Sequence, residues 1–215
     1  MSKIWVKICG ITNADDALLA VGLDADAVGF IFAPSKRQIA TGRARDIVSR
    51  VPSGIHTVGV FRNEAKERVV DVIHNVGLTA AQLHGSETPD EVEWISERIP
   101  NVIKAVAAGS PQAERASEFV SQILLVDAAT PGSGETFDWS LAQGFPPDKK
   151  ILLAGGLNPD NVASAIESVR PWGVDVASGV EKEPGVKDPA KLRLFIKNAR
   201  AAALVNSSKG EPREV

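Results

Sequence analysis

Short apolar, β-branched runs alternate along the chain with longer segments whose apolar positions recur at helical spacing. The runs fall at 4–8, 27–32, 57–61, 80–83, 102–105, 123–126, 151–153 and 174–177. Their flanks carry Gly, Pro, Asn and Asp, the residues that break or cap regular structure. Helix-start chemistry lies between them. Thr88-Pro89-Asp90-Glu91 reads as an N-cap, a proline at the first helical position and a reciprocal carboxylate. Asn158-Pro159-Asp160 and Asp188-Pro189 are start signals of the same kind, and Asn63-Glu64 opens a segment with Val69, Val70, Val72 and Ile73 on one face. Eight strand–helix pairs in about 200 residues predict an α/β chain folded as a single (β/α)8 TIM barrel. A doubly wound open sheet is the rival, and the strand count favours the barrel. No linker or composition shift divides the chain, so 1–205 is expected as one catalytic domain and the polar, aperiodic 206–215 as a tail.

Composition narrows the function classes. Hydrophobic residues at 44% and charged residues at 24% suit an ordinary globular chain, and the net charge of −3 leaves no footprint for nucleic acid. An anionic ligand therefore requires a local positive field. No apolar stretch approaches the ~20 residues of a membrane span, and Lys7 interrupts the N-terminal apolar run, so a cytoplasmic location is expected. The single cysteine, Cys9, rules out an intrachain disulfide. The three histidines, His56, His74 and His84, show no metal-ligand spacing, so no metal is expected.

Barrel active sites lie at the C-terminal ends of the strands, so the residues closing each run are the candidates. In the first run Lys7 and Cys9 share a face by period two, which places an ammonium beside a thiol at the mouth. Spacing alone leaves Cys9 equally readable as a small core residue. Ser35-Lys36-Arg37 follows the second run, where Arg37 can grip a carboxylate in two-pronged fashion or belong to a solvated basic loop. Gln82 and His84 point one way at the end of the fourth run, and a lone histidine is as readily structural. Asp127 directly follows four apolar residues, a position suited to acid–base work or to an ion pair. The glycine-rich 130–136 segment can approach a ligand or move as a lid. After the seventh and eighth runs come Gly155-Gly156 and Ser178-Gly179. Loops at these two places form the recurrent phosphate cradle of such barrels, using backbone N–H groups. Lys104 closes the fifth run without an assignment.

Together, Lys7-Ile8-Cys9-Gly10-Ile11-Thr12, Gly59-Val60-Phe61-x-Asn63, Gln82-Leu83-His84-Gly85, Gly132-Ser133-Gly134-x-Thr136-Phe137-Asp138-Trp139, Ala154-Gly155-Gly156-Leu157 and Val174-Asp175-Val176-x-Ser178-Gly179-Val180-Glu181 resemble the phosphoribosylanthranilate isomerase family, in order and spacing. The resemblance implies an Amadori rearrangement of N-(5-phosphoribosyl)anthranilate in tryptophan biosynthesis, without cofactor. It implies Cys9 as general base, Asp127 as general acid, and Arg37 at the anthranilate end. Lys7, Gln82, His84 and Asp175 are implied to line the substrate, and Gly155, Gly156, Ser178 and Gly179 to hold phosphate. The chemistry then requires Lys7 to draw Cys9 towards thiolate and burial to keep Asp127 protonated. Lys36 and Gln38 depart from the family's usual proline and aromatic residue around that arginine. The expected partner is the small-molecule substrate, with the chain a monomer or homodimer. Indole-glycerol-phosphate synthase shares the phosphate loops but works with other lysines and glutamates. A non-catalytic sugar-phosphate sensor is the alternative from a different class.

Overall fold

A computed structural model describes residues 3–128, 139 and 144–209. Eight parallel strands close into one barrel in sequence order: β1 (Trp5–Ile8), β2 (Ala27–Ile31), β3 (His56–Phe61), β4 (Ala80–Leu83), β5 (Val102–Ala107), β6 (Ile123–Asp127), β7 (Lys150–Leu153) and β8 (Gly173–Val176). Register closes the ring through Lys7 opposite Asp175 and Ile8 opposite Val176. The chain is thus a single (β/α)8 barrel, and each strand lies within a few residues of a predicted run. Helices α1 (Ala14–Gly22), α2 (Thr41–Val48), α3 (Lys66–Val76), α4 (Pro89–Ser96), α5 (Pro111–Glu114), α6 (Val162–Val169) and α7 (Pro189–Lys209) occupy connections and the C-terminal end. A two-stranded hairpin, β9 (Glu181–Glu183) with β10 (Val186–Lys187), is inserted between β8 and α7. Among the described residues no helix is long and apolar enough to cross a membrane.

Local chemistry explains most helix boundaries. Thr88 accepts from the Glu91 backbone N–H while Glu91 accepts from that of Thr88, and Pro89 fills the first position of α4. Asp188 Oδ1 accepts from the N–H groups of Ala190 and Lys191 at the start of α7. Two predicted starts are displaced. Helix α3 begins at Lys66 because Asn63 adopts φ +52 and turns its side chain to the Ser86 N–H. Helix α6 begins at Val162 because Asn158 Oδ1 accepts from Asp160 and Asn161 in a turn. The backbone of α7 continues through 206–209, past the point where loss of periodicity predicts a tail. Ala201, Ala202, Ala203 and Leu204 carry the helix up to that point, and each Asn or Ser after them costs it only ~0.5 kcal/mol. Residues 210–215 lie outside the described residues.

Alternation along the strands makes two cores. Val6, Ile8, Phe30, Val126 and Val174 pack outwards with helix residues such as Val69, Val92 and Phe195. Ala27, Val58, Ala80, Ile103, Leu125 and Leu152 fill the barrel interior. Two residues further along the same inner faces come Gly29, Gln82 and Asp127. Lys7, Cys9 and Asp175 follow by the same period. The apolar plug below is what holds these polar groups at the C-terminal mouth.

Candidate active site

Lys7 has no solvent exposure and donates through Nζ to Asp175 Oδ1 at 2.9 Å. Cys9 is buried just beyond it. Gly29 on neighbouring β2 makes their room: a Cβ there would lie 3.0 Å from Cys9 Sγ and 3.1 Å from Lys7 Nζ. Burial alone would lower the Lys7 ammonium, but facing Asp175 and Cys9 raise it above the ordinary lysine value. Burial pushes the Cys9 thiol up, against the downward pull of Lys7. This corrects the expectation that Lys7 draws Cys9 to thiolate in this arrangement. The ammonium is already matched to Asp175, so its field at sulfur is partly cancelled.

Arg37 crosses above β1. A Cβ on Gly10, whose φ is +76, would lie 2.7 Å from Arg37 Cδ, so only glycine fits beneath the guanidinium. Arg37 Nε donates to both oxygens of Glu181 at 2.8 and 3.0 Å, and Nη2 adds a third contact at 2.8 Å. Lys187 meets Glu181 Oε1 at 3.1 Å from the other side and donates to the Cys9 carbonyl at 2.6 Å. The β9–β10 hairpin therefore ties together the ends of β1, β2 and β8. Arg37 and Lys187 outweigh the effect of burial and hold the Glu181 carboxyl below the usual range. Burial lowers Lys187. The departures at Lys36 and Gln38 leave a defined loop: Gln38 Nε2 donates to the Phe32 carbonyl at 2.9 Å, and Ser35 Oγ accepts from the Arg37 N–H.

Across the mouth, Asp127 Oδ1 accepts from the Ala128 N–H at 2.8 Å, and Oδ2 stands 3.2 Å from His84 Nε2. His84 Nδ1 lies 2.9 Å from Gln82 Nε2. Gly155, at φ +81, permits a close approach, since a Cβ there would fall 2.6 Å from the Ala128 nitrogen. A Cβ on Gly179 would land on the Leu157 carbonyl oxygen, so this glycine joins the loops after β7 and β8. Ser178–Val180 forms a 3-10 turn in the loop after β8. Asn161 Nδ2 donates to the Gly156 carbonyl and steadies the other loop.

Every predicted site residue thus sits at the C-terminal mouth. Gly29, Glu181 and Lys187 join it without having been predicted. Gly29 has a sequence signal, a glycine inside a strand. Lys104 points the other way, outside the barrel wall. It has no exposure, pairs with Glu87 Oε2 at 2.8 Å and donates to the Gly85 and Ala105 carbonyls. Burial lowers its ammonium, with Glu87 opposing. The glycine-rich 130–136 segment and residues 132–138 of its motif lie outside the described residues. Among the described residues, no group of three His, Cys, Asp or Glu side chains is placed to hold a metal ion.

The sequence profile described as N-(5'-phosphoribosyl)anthranilate (PRA) isomerase matches residues 6–198. A relative named N-(5'-phosphoribosyl)anthranilate isomerase from Desulforudis audaxviator is 48% identical over 204 residues, covering 92% of this chain and 98% of its own. A crystal structure of phosphoribosyl anthranilate isomerase, in complex with reduced 1-(o-carboxyphenylamino)-1-deoxyribulose 5-phosphate, superposes with TM-score 0.81 at 46% identity, covering 92% of this chain and 99% of that one. A structure of monomers generated from the dimeric enzyme of Thermotoga maritima gives TM-score 0.82 at 46% identity, with the same coverage. A profile spanning nearly the whole barrel, together with relatives matched almost end to end, shows that this chain belongs to the N-(5'-phosphoribosyl)anthranilate isomerase family.

Proposed function

We propose that Cys9 is the general base and Asp127 the general acid of the family's reaction in this chain. The reaction converts N-(5-phosphoribosyl)anthranilate to 1-(o-carboxyphenylamino)-1-deoxyribulose 5-phosphate in tryptophan biosynthesis. One observation carries the assignment. Cys9 and Asp127 project from the inner face at the C-terminal ends of β1 and β6, over the same apolar plug.

An acid protonates the furanose ring oxygen and opens the sugar to a Schiff base. A base then removes the C2′ proton, and the resulting enolamine tautomerises to the ketone. The raised Cys9 thiol makes a strong base in its ionised form, at the cost of a small ionised fraction near neutrality. Each proton transfer contributes roughly 10²–10⁴-fold to rate. Lys7 and Asp175 form the floor of the site beside Cys9. The N–H groups of Arg37 not committed to Glu181 read the anthranilate carboxylate. Gly155, Gly156, Ser178 and Gly179 offer backbone N–H groups to the phosphate. The partner is this small molecule; the chain itself is a monomer or a homodimer like its Thermotoga maritima relative, which sedimentation distinguishes.

A Cys9→Ala variant tests the reading against a sugar-phosphate sensor. It is expected to bind the reduced product analogue as tightly as the unaltered chain and to lose turnover. Full turnover in that variant would remove Cys9 from the chemistry.

A further inference from the structure

Pairing between β4 and β5 ends at Leu83 opposite Lys104, whereas β5 runs on beside β6 to Ala107 opposite Asp127. A fork opens there, and the chain after β4 is held by something other than the sheet ladder. His84 is the first residue past the fork, and its Nε2 stands 3.2 Å from Asp127 Oδ2. Asp127 Oδ1 already accepts from the Ala128 N–H. The His84 contact therefore fixes the second oxygen of the proposed acid, on whose assignment this inference rests.

What holds the His84 side of the fork lies outside the barrel wall. The Lys104 ammonium stands within hydrogen-bond distance of the Leu83 carbonyl at 3.2 Å, of Gly85 at 2.8 Å and of Ala105 at 2.9 Å. Its fourth acceptor is Glu87 Oε2 at 2.8 Å. That same Oε2 accepts from the Gly85 N–H at 3.0 Å, and Oε1 accepts from the Asn63 N–H at 2.9 Å. Asn63 Oδ1 in turn accepts from the Ser86 N–H at 2.7 Å. Residues 85–87 are thus bound on one side to the end of β3 and on the other to β5, while the His84 N–H donates to the Phe61 carbonyl at 2.8 Å. A buried ion pair is a poor source of stability, because apolar side chains of the same volume commonly do as well. An apolar pair has no donors or acceptors, so it cannot fix the backbone of three neighbouring segments at set distances.

We propose that Lys104 and Glu87 are positioning residues for the reaction: from outside the barrel they fix the turn at 84–87 and so hold the His84 ring against Asp127. Both act through His84. Arg37 follows β2, and the glycine loops proposed for phosphate follow β7 and β8. Loosening the turn after β4 leaves those groups in place, so the pair serves turnover rather than affinity.

Steady-state kinetics with N-(5-phosphoribosyl)anthranilate, beside urea unfolding, test this in Lys104→Met, in Glu87→Ala and in the double change Glu87→Met with Lys104→Met. Each is expected to lower kcat about tenfold to a hundredfold, the scale of a displaced catalytic group, with KM within about twofold. The double change leaves no buried charge unpaired, so it is expected to be more stable than Glu87→Ala yet no faster. Glu87→Gln keeps the test readable if Glu87→Ala folds poorly. In a His84→Ala background, itself slowed, Lys104→Met is expected to cost no further kcat, because the ring it positions is gone. Nitrogen NMR of the 15N-histidine-labelled chain adds a readout apart from activity. Of three histidines, His84 is identified by the signals lost in His84→Ala. Its ring signals are expected to shift or broaden in Lys104→Met while those of His56 and His74 stay. Full kcat in Lys104→Met or in His84→Ala overturns the proposal, as do kcat that returns with stability in the double change, losses that multiply with His84→Ala, and unmoved His84 signals. Full turnover in Asp127→Asn would instead remove the acid assignment and with it the catalytic role of the pair, while the His84 signals would still report whether the pair holds the ring.

Discussion

Arg37 and Glu181, 144 residues apart in sequence, are locked by three N–H···O contacts of 2.8–3.0 Å, made by Nε and Nη2 of the guanidinium. Arg37, proposed above to read the substrate's carboxylate, is thereby fixed by a residue on the β9–β10 hairpin, which Lys187 anchors to the Cys9 carbonyl. Glu181→Gln keeps the shape and removes the charge that aligns Arg37. It is expected to raise KM roughly tenfold while kcat changes less, because one charge-assisted hydrogen bond is worth about 1.5–3 kcal/mol. Arg37→Ala is expected to raise KM further. Steady-state kinetics check both.

Cys9 offers a pH prediction. Burial raises its thiol, so folding favours the protonated form. That contribution to stability is fully present below the unfolded cysteine value and is lost as pH rises through the folded one. Alkylation of the single cysteine by iodoacetamide, followed against pH in the folded chain, is expected to show its midpoint above about 8.5. Asp175→Asn frees the Lys7 charge and is expected to lower that midpoint. A midpoint unmoved by Asp175→Asn would show that Asp175 does not offset Lys7.

Gly29 is predicted to be intolerant of a side chain for reasons of the site rather than of the strand. A Cβ there would press within 3.1 Å of both Sγ and Nζ. Gly29→Ala is expected to fold and to lose turnover by roughly tenfold to a hundredfold, the scale of a displaced catalytic group. Circular dichroism and kcat together check this.

The Lys104–Glu87 pair carries a stability prediction. Glu87 also accepts from the Asn63 and Gly85 N–H groups, so its loss strands a buried ammonium and loosens the loop behind His84. Glu87→Ala is expected to cost about 3–5 kcal/mol in urea unfolding. The double change Glu87→Met with Lys104→Met is expected to cost less, because no charge is left unpaired.

The barrel is legible in the sequence because each strand is a short apolar run and the interior repeats with period two. That same period places Lys7 with Cys9 and Gln82 with His84. The misplaced helix starts share one cause. Asn63 and Asn158 serve as turn residues, and the sequence signal for a cap is chemically the signal for a turn. Glu181 and Lys187 are invisible to local reading, since their contacts to Arg37 and to Cys9 join residues far apart in sequence. The thiol's direction of shift is invisible for a related reason: it depends on the burial of Cys9 in the closed barrel and, after that, on Asp175 facing Lys7 across the closing seam. Lys104 did carry a signal. It alternates with the inward Ile103 and Ala105, and so belongs to the outer face.

The most direct measurement mixes purified protein with freshly made phosphoribosylanthranilate and follows the loss of its anthranilate fluorescence, for the unaltered chain, Cys9→Ser and Asp127→Asn. Rapid decay in the unaltered chain alone, with each variant slowed by a hundredfold or more, about the loss of one proton-transfer group, is the predicted result. Decay at the unaltered rate in either variant would contradict the base–acid pair on which the account rests.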